Sequence, residues 1–399
     1  MPSRRQRLLA AITALCSVSA LLVAALVGAW LLRPTPTPTV TRSVIGTPSA
    51  TEPGDPDPSG SDPATTPARR TASIVMSGDL LWHNTVWASA AEDHARTGAG
   101  ERFDFDPMFA DMKPVVAAAD VAICHEEVPI AAPGEPLHSY PVFAAPHQIA
   151  AWIGSMGWDA CTTASNHSMD AGIAGIDETA DLLEAAGVAH VGTFRSPTER
   201  RKPVIVTTDE GVAVAIVAAT YGLNGYVLPA GHEWAVSQEG DVDGLLAQAH
   251  RAREAGADIV VAHYHWGTEY DHLPNADQVA IAKQLTASPD IDVVLGEHAH
   301  VVQPITTVNG KWVAYGMGNM VAQSEPGRPD AYEGITVELQ LTERAGGGFD
   351  VSRIGYLPTQ WNHYTPGNPI RIRRATGTHL ASIRAAVDGV GRNAGLVED

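Results

Sequence analysis

The sequence predicts an α/β domain from about residue 72 onward, and three patterns predict it. Short apolar runs alternate with stretches of helical periodicity. After about residue 300 the helices fade and mainly strands follow. Polar residues able to bind metal recur just behind the apolar runs.

The apolar runs are 73–76, 121–124, 212–219, 259–262 and 291–295, each short enough for a buried strand. Between them, residues 173–186 place Ile173, Ile176, Ala180, Leu182 and Leu183 on one broad face, with Gly187 as a stop. Residues 242–255, with Leu245, Leu246, Ala249 and Ala252 closing at Gly256, read similarly, as do 276–287. Segments 301–308, 312–315, 335–341 and 351–356 are expected to supply a second set of strands. There is no internal repeat.

The N-terminal part has a different character. Residues 8–32 contain no charge and follow Arg4, Arg5 and Arg7. As a helix this stretch is about 37 Å long, enough to cross a bilayer, and the basic flank keeps the N-terminus in the cytoplasm. Ser17-Val18-Ser19-Ala20 offers a cleavage site for a signal peptide, but the apolar run continues through Leu22, Val23, Leu26 and Trp30, which favours an uncleaved anchor. Nine prolines and eight threonines then fall within residues 33–70 with no aromatic residue, a composition that stays disordered. Extended, that linker reaches roughly 120 Å. The expected organisation is a cytoplasmic tail (1–7), a transmembrane signal anchor (8–32), a linker (33–71), a main domain (72–325) and C-terminal strands completing it (326–399). The main domain is expected outside the cell membrane.

Charge narrows the partners. Residues 1–32 hold three Arg and no acid, and residues 33–70 hold four Arg against four acids, so the net −19 leaves −22 for residues 71–399. A domain this acidic repels nucleic-acid phosphates, and an anionic substrate there requires bound cations. Cys16 lies in the apolar segment after Leu15, which lacks the small residue of a lipidation site. Cys124 and Cys161 sit near predicted strand ends; an oxidised pair is open to them, and two buried free thiols are the favoured expectation.

Five segments deliver candidate ligands just after predicted strands: Asp79 in Ser77-Gly78-Asp79, the run His125-Glu126-Glu127, the pair Asn166-His167, His263 and His265, and His298 with His300 behind Glu297. The carboxyl ends of strands form the binding crevice of open α/β sheets. Carboxylates, imidazoles and an amide oxygen together suit divalent Mn, Fe or Zn, and a bridging carboxylate flanked by histidines holds two ions about 3.5–4 Å apart.

The ordered set resembles the bacterial capsule-synthesis CapA family, linked to poly-γ-glutamate capsules, within the calcineurin-like metallophosphoesterase superfamily. The matching segments run 77–81, 119–127, 164–172, 265–270, 296–304 and 315–319 (Tyr-Gly-Met-Gly-Asn). The resemblance implies an α/β/β/α sandwich and a site holding two divalent ions. Asp79 corresponds to the first-strand ligand, Glu127 to the bridging carboxylate and Asn166 to the amide ligand. His167 corresponds to the phosphate-contacting or acid histidine, and His265, His298 and His300 to the remaining imidazole ligands. Leu81 stands where the superfamily's first histidine is expected, so His83 is a candidate to fold back in its place.

Blander roles compete at several positions. Asp79 alone suits a turn or helix cap. One of Glu126 and Glu127 is expected to be a solvated carboxylate, with Glu127 the ligand. His263 shares a face with His265 and competes with it. Asp170 and Glu269 are expected to orient neighbours. His94, His138, His147, His190, His232, His250, His272, His363 and His379 have no supporting neighbours and read as ordinary residues. Trp82, Trp87, Trp152 and Trp158 read as core. Three functions fit: a metal-dependent phosphoesterase in capsule or envelope-polymer biosynthesis, a non-hydrolytic polymer tethering or export factor working with polymer-synthesis membrane proteins, or an extracytoplasmic phosphohydrolase unrelated to capsule.

Overall fold

The computed structural model describes residues 69–238, 242–324 and 327–399. The expected anchor and nearly all of the expected linker lie outside these residues. No helix among the described residues is long and apolar enough to cross a membrane.

The first sheet opens with four parallel strands in sequence order: β1 (Thr71–Leu80), β2 (Val121–Glu126), β3 (Ala160–Thr162) and β4 (Ala189–Val191). Helices α1 (Asn84–Thr97) and α2 (Lys113–Ala117) follow β1, α3 (Gln148–Met156) follows β2, and α4 (Gly172–Ala185) follows β3. After the short α5 (Pro197–Arg201), the chain builds a second sheet. Its elements are β5 (Val204–Thr207), β6 (Ala213–Thr220), α6 (Val242–Glu254), β7 (Ile259–His265), α7 (Ala276–Ala287), β8 (Val293–Glu297), β9 (Ile305–Val308) and β10 (Lys311–Ala314). Here β6, β7, β8 and β10 are parallel neighbours, with antiparallel β5 and β9 at the two edges.

The chain then returns to the first sheet. The strand β11 (Asn319–Val321) pairs with the end of β1, and β12 (Glu333–Glu343) runs antiparallel along β1. Next come β13 (Phe349–Trp361), β14 (Ile372–Arg374), α8 (Gly377–Val387) and β15 (Leu396–Glu398).

Strand alternation divides the side chains into layers. Ile74, Met76, Val121 and Ile123 of the first sheet share one core with Ile216, Val261, Val293 and Leu295 of the second. Their neighbours Val75, Ala122 and Cys124 face outward against Val86, Ile149 and Ile153 of α1 and α3. Val217, Val260 and Ala262 likewise meet Leu245, Ala249, Ala282 and Leu285 of α6 and α7. The result is helices, sheet, sheet, helices. Parallel strands covered on both faces explain the unbroken apolar runs in the sequence.

One device recurs at the base of both sheets. The Asp just before a parallel strand accepts the backbone N–H near the start of the strand beside it. Asp120 takes Ser73 N–H at 2.7 Å, Asp159 takes Ala122 at 2.8 Å, Asp258 takes Ala213 at 3.0 Å and Asp292 takes Val260 at 2.7 Å. These donors would otherwise be unpaired at the strand starts. Arg70 adds a cross-tie at this end, bonding Asp258 and Glu343.

Helix α7 occupies the expected residues, fixed by a capping box between Asn275 and Gln278. After residue 300 the described residues are mainly strands, as expected, and helix α8 is an addition to them. Its Leu380, Ile383, Ala386 and Val387 have helical spacing and pack onto the inter-sheet core. Cys124 and Cys161 correct the free-thiol expectation: they face each other in register on β2 and β3 and form a disulfide.

Close packing at the top of β1 leaves no room for a side chain at Gly78, where an added Cβ would meet the Gly318 carbonyl oxygen at 2.1 Å. Gly78→Ala is expected to destabilise the fold by about 1–3 kcal/mol. Gly222→Ala, where nothing lies within 4 Å, is expected to stay within about 0.5 kcal/mol. Denaturant titration of both variants checks this, and equal midpoints would contradict it.

Candidate metal centre

The upper ends of the parallel strands from both sheets deliver the candidate residues to one place. Asp79 ends β1, His125 and Glu127 lie at the end of β2, and Asn166 and His167 follow β3. His265 ends β7, and His298 and His300 follow β8. Asp79, Glu127, Asn166, His167, His265, His298 and His300 are all buried, none more than 7% exposed.

Their contacts link the two sheets. His300 Nδ1 lies 3.1 Å from Asp79 Oδ2 and 2.9 Å from Asn319 Oδ1. Glu127 Oε1 sits between His265 Nε2 at 3.8 Å and His300 Nε2 at 3.7 Å. A hydrogen-bonded row runs through the other half. His125 Nδ1 meets Thr162 Oγ1 at 2.8 Å, His125 Nε2 meets His265 Nδ1 at 3.0 Å, and His265 Nε2 meets Asn166 Oδ1 at 2.8 Å. The Asn166 amide donates to Asn224 Oδ1 at 3.1 Å, which fixes its oxygen toward the imidazole. Giving each hydrogen one acceptor makes Thr162 the first donor and Asn166 Oδ1 the last acceptor.

Three groups of side chains place one ligand atom each within 4.8 Å of one another: Asp79 with His125 and His265, Asp79 with Glu127 and His300, and Glu269 with His298 and His300. Asp79 and His300 each belong to two groups, so the three form a continuous cluster. Asp79 Oδ1, both Glu127 oxygens and His298 Nδ1 are buried with no hydrogen-bond partner. Each unsatisfied buried polar atom costs about 1–3 kcal/mol, more when charged. Lone-pair atoms converging without donors are what a divalent cation satisfies, so these residues fit a metal site.

Electrostatics point the same way. Burial pushes His265 and His298 well below the ordinary imidazole range and His125 to about 4, so all three are neutral at pH 7. Burial and the neighbouring Asp79 push Glu127 well above the carboxylate range. His300 is the exception. Burial alone would lower it, but the Glu127 and Asp79 carboxylates hold it at about 10. Without metal, a proton on His300 takes over part of the cation's role.

Other expected residues also find their places. His265, not His263, reaches Asp79, Glu127 and Asn166, while His263 packs against the His125 ring at 4.6 Å. His83 does not enter any of the three groups. Its Nδ1 accepts Gln323 N–H at 3.1 Å, and its ring packs on Phe143. Glu126 corrects the expectation of a solvated carboxylate, since it is buried and bonded to Trp82 Nε1 at 2.8 Å. Asp170 orients its neighbour as expected, bonding His167 Nδ1 at 2.7 Å. Glu184, His190 and Glu199 form a separate cluster, in which Arg195 pairs with both carboxylates.

Sequence reasoning missed three residues. His125 lies two positions before Glu127, and two positions apart on a strand means one shared face. Asn319 stood in a quoted segment without a function. Asn224 had no local signal. The backbone marks the place as well: among described non-glycine residues, positive φ occurs at Asn224, Tyr270, His298 and His300 around the centre, and otherwise only at Asn309 in a turn. Such conformations cost free energy and persist where packing holds them.

A sequence model described as "Bacterial capsule synthesis protein PGA_cap" matches residues 73–324. A PGA biosynthesis protein CapA of Bacillus subtilis is 28% identical over 202 residues, covering 51% of this chain and 52% of that protein. This chain thus spans about half the length of that relative. A probable polyglutamine synthesis accessory protein of Mycobacterium tuberculosis is 27% identical over 301 residues, covering 70% of this chain and 74% of the relative. Among solved structures, the calcineurin-like phosphoesterase YfkN from Bacillus subtilis is similar with a TM-score of 0.45 and 16% identity, covering 80% of this chain and 97% of that one.

Metal binding must displace the His300 proton, so loading is expected to release at least one proton at pH 7 and to tighten as pH rises toward 10. Calorimetry of Mn or Zn binding in buffers of different ionisation heat measures that release; buffer-independent heats would refute it. His125→Ala is expected to lower bound metal as Asp79→Ala does, and His83→Ala to leave it unchanged, by elemental analysis of the purified variants.

Proposed function

The chain belongs to the family of bacterial capsule synthesis proteins, and we propose that its metal centre is a phosphoesterase-type site serving the biosynthesis of an anionic envelope polymer. One observation carries the proposal: three buried carboxylate oxygens of Asp79 and Glu127 lack a partner where imidazoles from both sheets converge.

Two divalent ions, of Mn, Fe or Zn, would supply charge on a phosphoryl oxygen and hydroxide near neutral pH. Asp79, His125 and His265 would hold one, and Asp79, Glu127 and His300 the other, with His298 completing the set beside His300. His125 then does the work left open by Leu81. The Asn166 oxygen, held by Asn224, joins from the same side as His265. His167 is the proposed proton donor to a leaving oxygen. Asp170 takes its Nδ1–H and Phe143 packs edge-on against its ring at 4.8 Å; to protonate the leaving oxygen the ring carries a second proton on Nε2, an imidazolium that the Asp170 carboxylate stabilises, and it is left neutral by the transfer.

The proposed location is outside the cell membrane, behind an N-terminal anchor and linker (8–32 and 33–71), with residues 72–399 as the working domain. The Cys124–Cys161 disulfide supports it, since such bonds persist in oxidising compartments. The proposed substrate is an anionic or phosphorylated envelope component. Polymer-synthesis membrane proteins are the proposed partners, and the accessory role in the name of the mycobacterial relative is consistent with that.

Metal-loaded protein is expected to hydrolyse a chromogenic phosphodiester or monoester. Asn166→Ala and His298→Ala should abolish turnover. His167→Ala should lower kcat about a hundredfold or more with metal content unchanged. A fully loaded protein without turnover would instead support the non-hydrolytic tethering or export role.

A further inference from the structure

Residues beyond 324 lie outside the family match and contribute no ligand to the centre. They build a cavity of about 420 Å³, all of whose lining residues lie between positions 329 and 379. Its floor is Trp361 and Tyr332, which are 3% and 6% exposed. In a domain with a large excess of acids, no carboxylate lines this cavity, whereas two arginines and two histidines do.

Its polar side chains include both donors and acceptors. Arg373 is exposed, and its side chain makes no hydrogen bond or ion pair among the described residues. Arg371 is locked by two bonds to Asp93, at 2.8 and 2.6 Å, and forms a fixed wall. The Gln360 oxygen accepts Thr376 N–H at 2.7 Å, which leaves its amide NH₂ as a donor. His363 and His379 are each tethered through Nδ1, to the Tyr332 hydroxyl at 2.6 Å and to Glu333 Oε1 at 2.7 Å. With the proton on Nδ1, each Nε2 presents a lone pair that suits the N–H of an amide-linked backbone.

We infer that this cavity is a second binding site, for a carboxylate-bearing chain such as a glutamate oligomer. A guanidinium fork matches the two coplanar oxygens of a carboxylate. A free side-chain amide suits the carbonyl of an amide-linked backbone, and the volume admits a short segment, not merely one ion. The cavity is also tied to the metal centre. Asn319 bonds His300 through its oxygen and donates to Ala331 O at 3.3 Å, one residue from Tyr332. The identity of the chain rests on the polymer-biosynthesis proposal; the site itself does not.

Titration of the full-length chain in detergent with a defined glutamate oligomer tests this by calorimetry. Arg373→Ala is expected to raise the dissociation constant roughly tenfold or more, with partial recovery in Arg373→Lys. His298→Ala, at the metal centre, is expected to bind the oligomer as the parent does. Equal affinity across the Arg373 variants would overturn the inference, as would loss of binding in His298→Ala or displacement of the oligomer by equimolar inorganic phosphate. Arg373-dependent binding in a protein without phosphoester turnover would uphold the cavity and refute the hydrolytic proposal separately.

Discussion

Burying two carboxylates at the junction of two sheets is the constraint around which the upper edge of this domain is organised. Asp79 and Glu127 are fully buried, and only one of their four oxygens has a hydrogen-bond partner. Ionised carboxylates cannot remain so in a low-dielectric interior without compensation. The protonated His300 supplies part of it when no metal is bound. The neutral histidines supply none, because burial keeps their protons off. The unpartnered Nδ1 of His298 instead enlarges the demand for a cation.

The sheets make this arrangement possible by aligning their exits. Each of the five ligand-bearing segments leaves a parallel strand in the same direction, and close backbone approach at Gly78 and Gly318 brings β1 and β11 together beneath Asp79. Alternation then sorts neighbours by face. His125 and Glu127 point into the centre, while Glu126 between them turns outward to Trp82. The C-terminal strands do more than complete the first sheet. They carry Asn319, which steadies His300, and the cavity lined by Arg373 and Gln360 beyond it.

Much of this was legible in the sequence, for identifiable reasons. Buried parallel strands advertise themselves as unbroken apolar runs, and ligands at their ends follow in fixed order. The bounds of α7 were readable because Asn275 and Gln278 form its cap. The ligand role open to His125 was less visible, since a histidine beside two glutamates draws the eye to the carboxylates. Asn224 was invisible, because its contact with Asn166 depends on a loop more than fifty residues away. The disulfide required knowing that Cys124 and Cys161 are in register, which sequence separation cannot tell. Helix α8 was masked by the strands around it, although its apolar spacing was helical.

The four aspartates at the strand starts give the domain a common datum. Asp120, Asp159, Asp258 and Asp292 pin adjacent strands to one another at the end farthest from the ligands. Loops at the opposite end can therefore lengthen or change sequence without disturbing alignment below. Removing one residue from β2 or β7 is a different event, because it turns every later side chain to the other face. Evolution of new specificity in such a scaffold is thus channelled into the loops, and the strands between base and ligand are closed to changes in length.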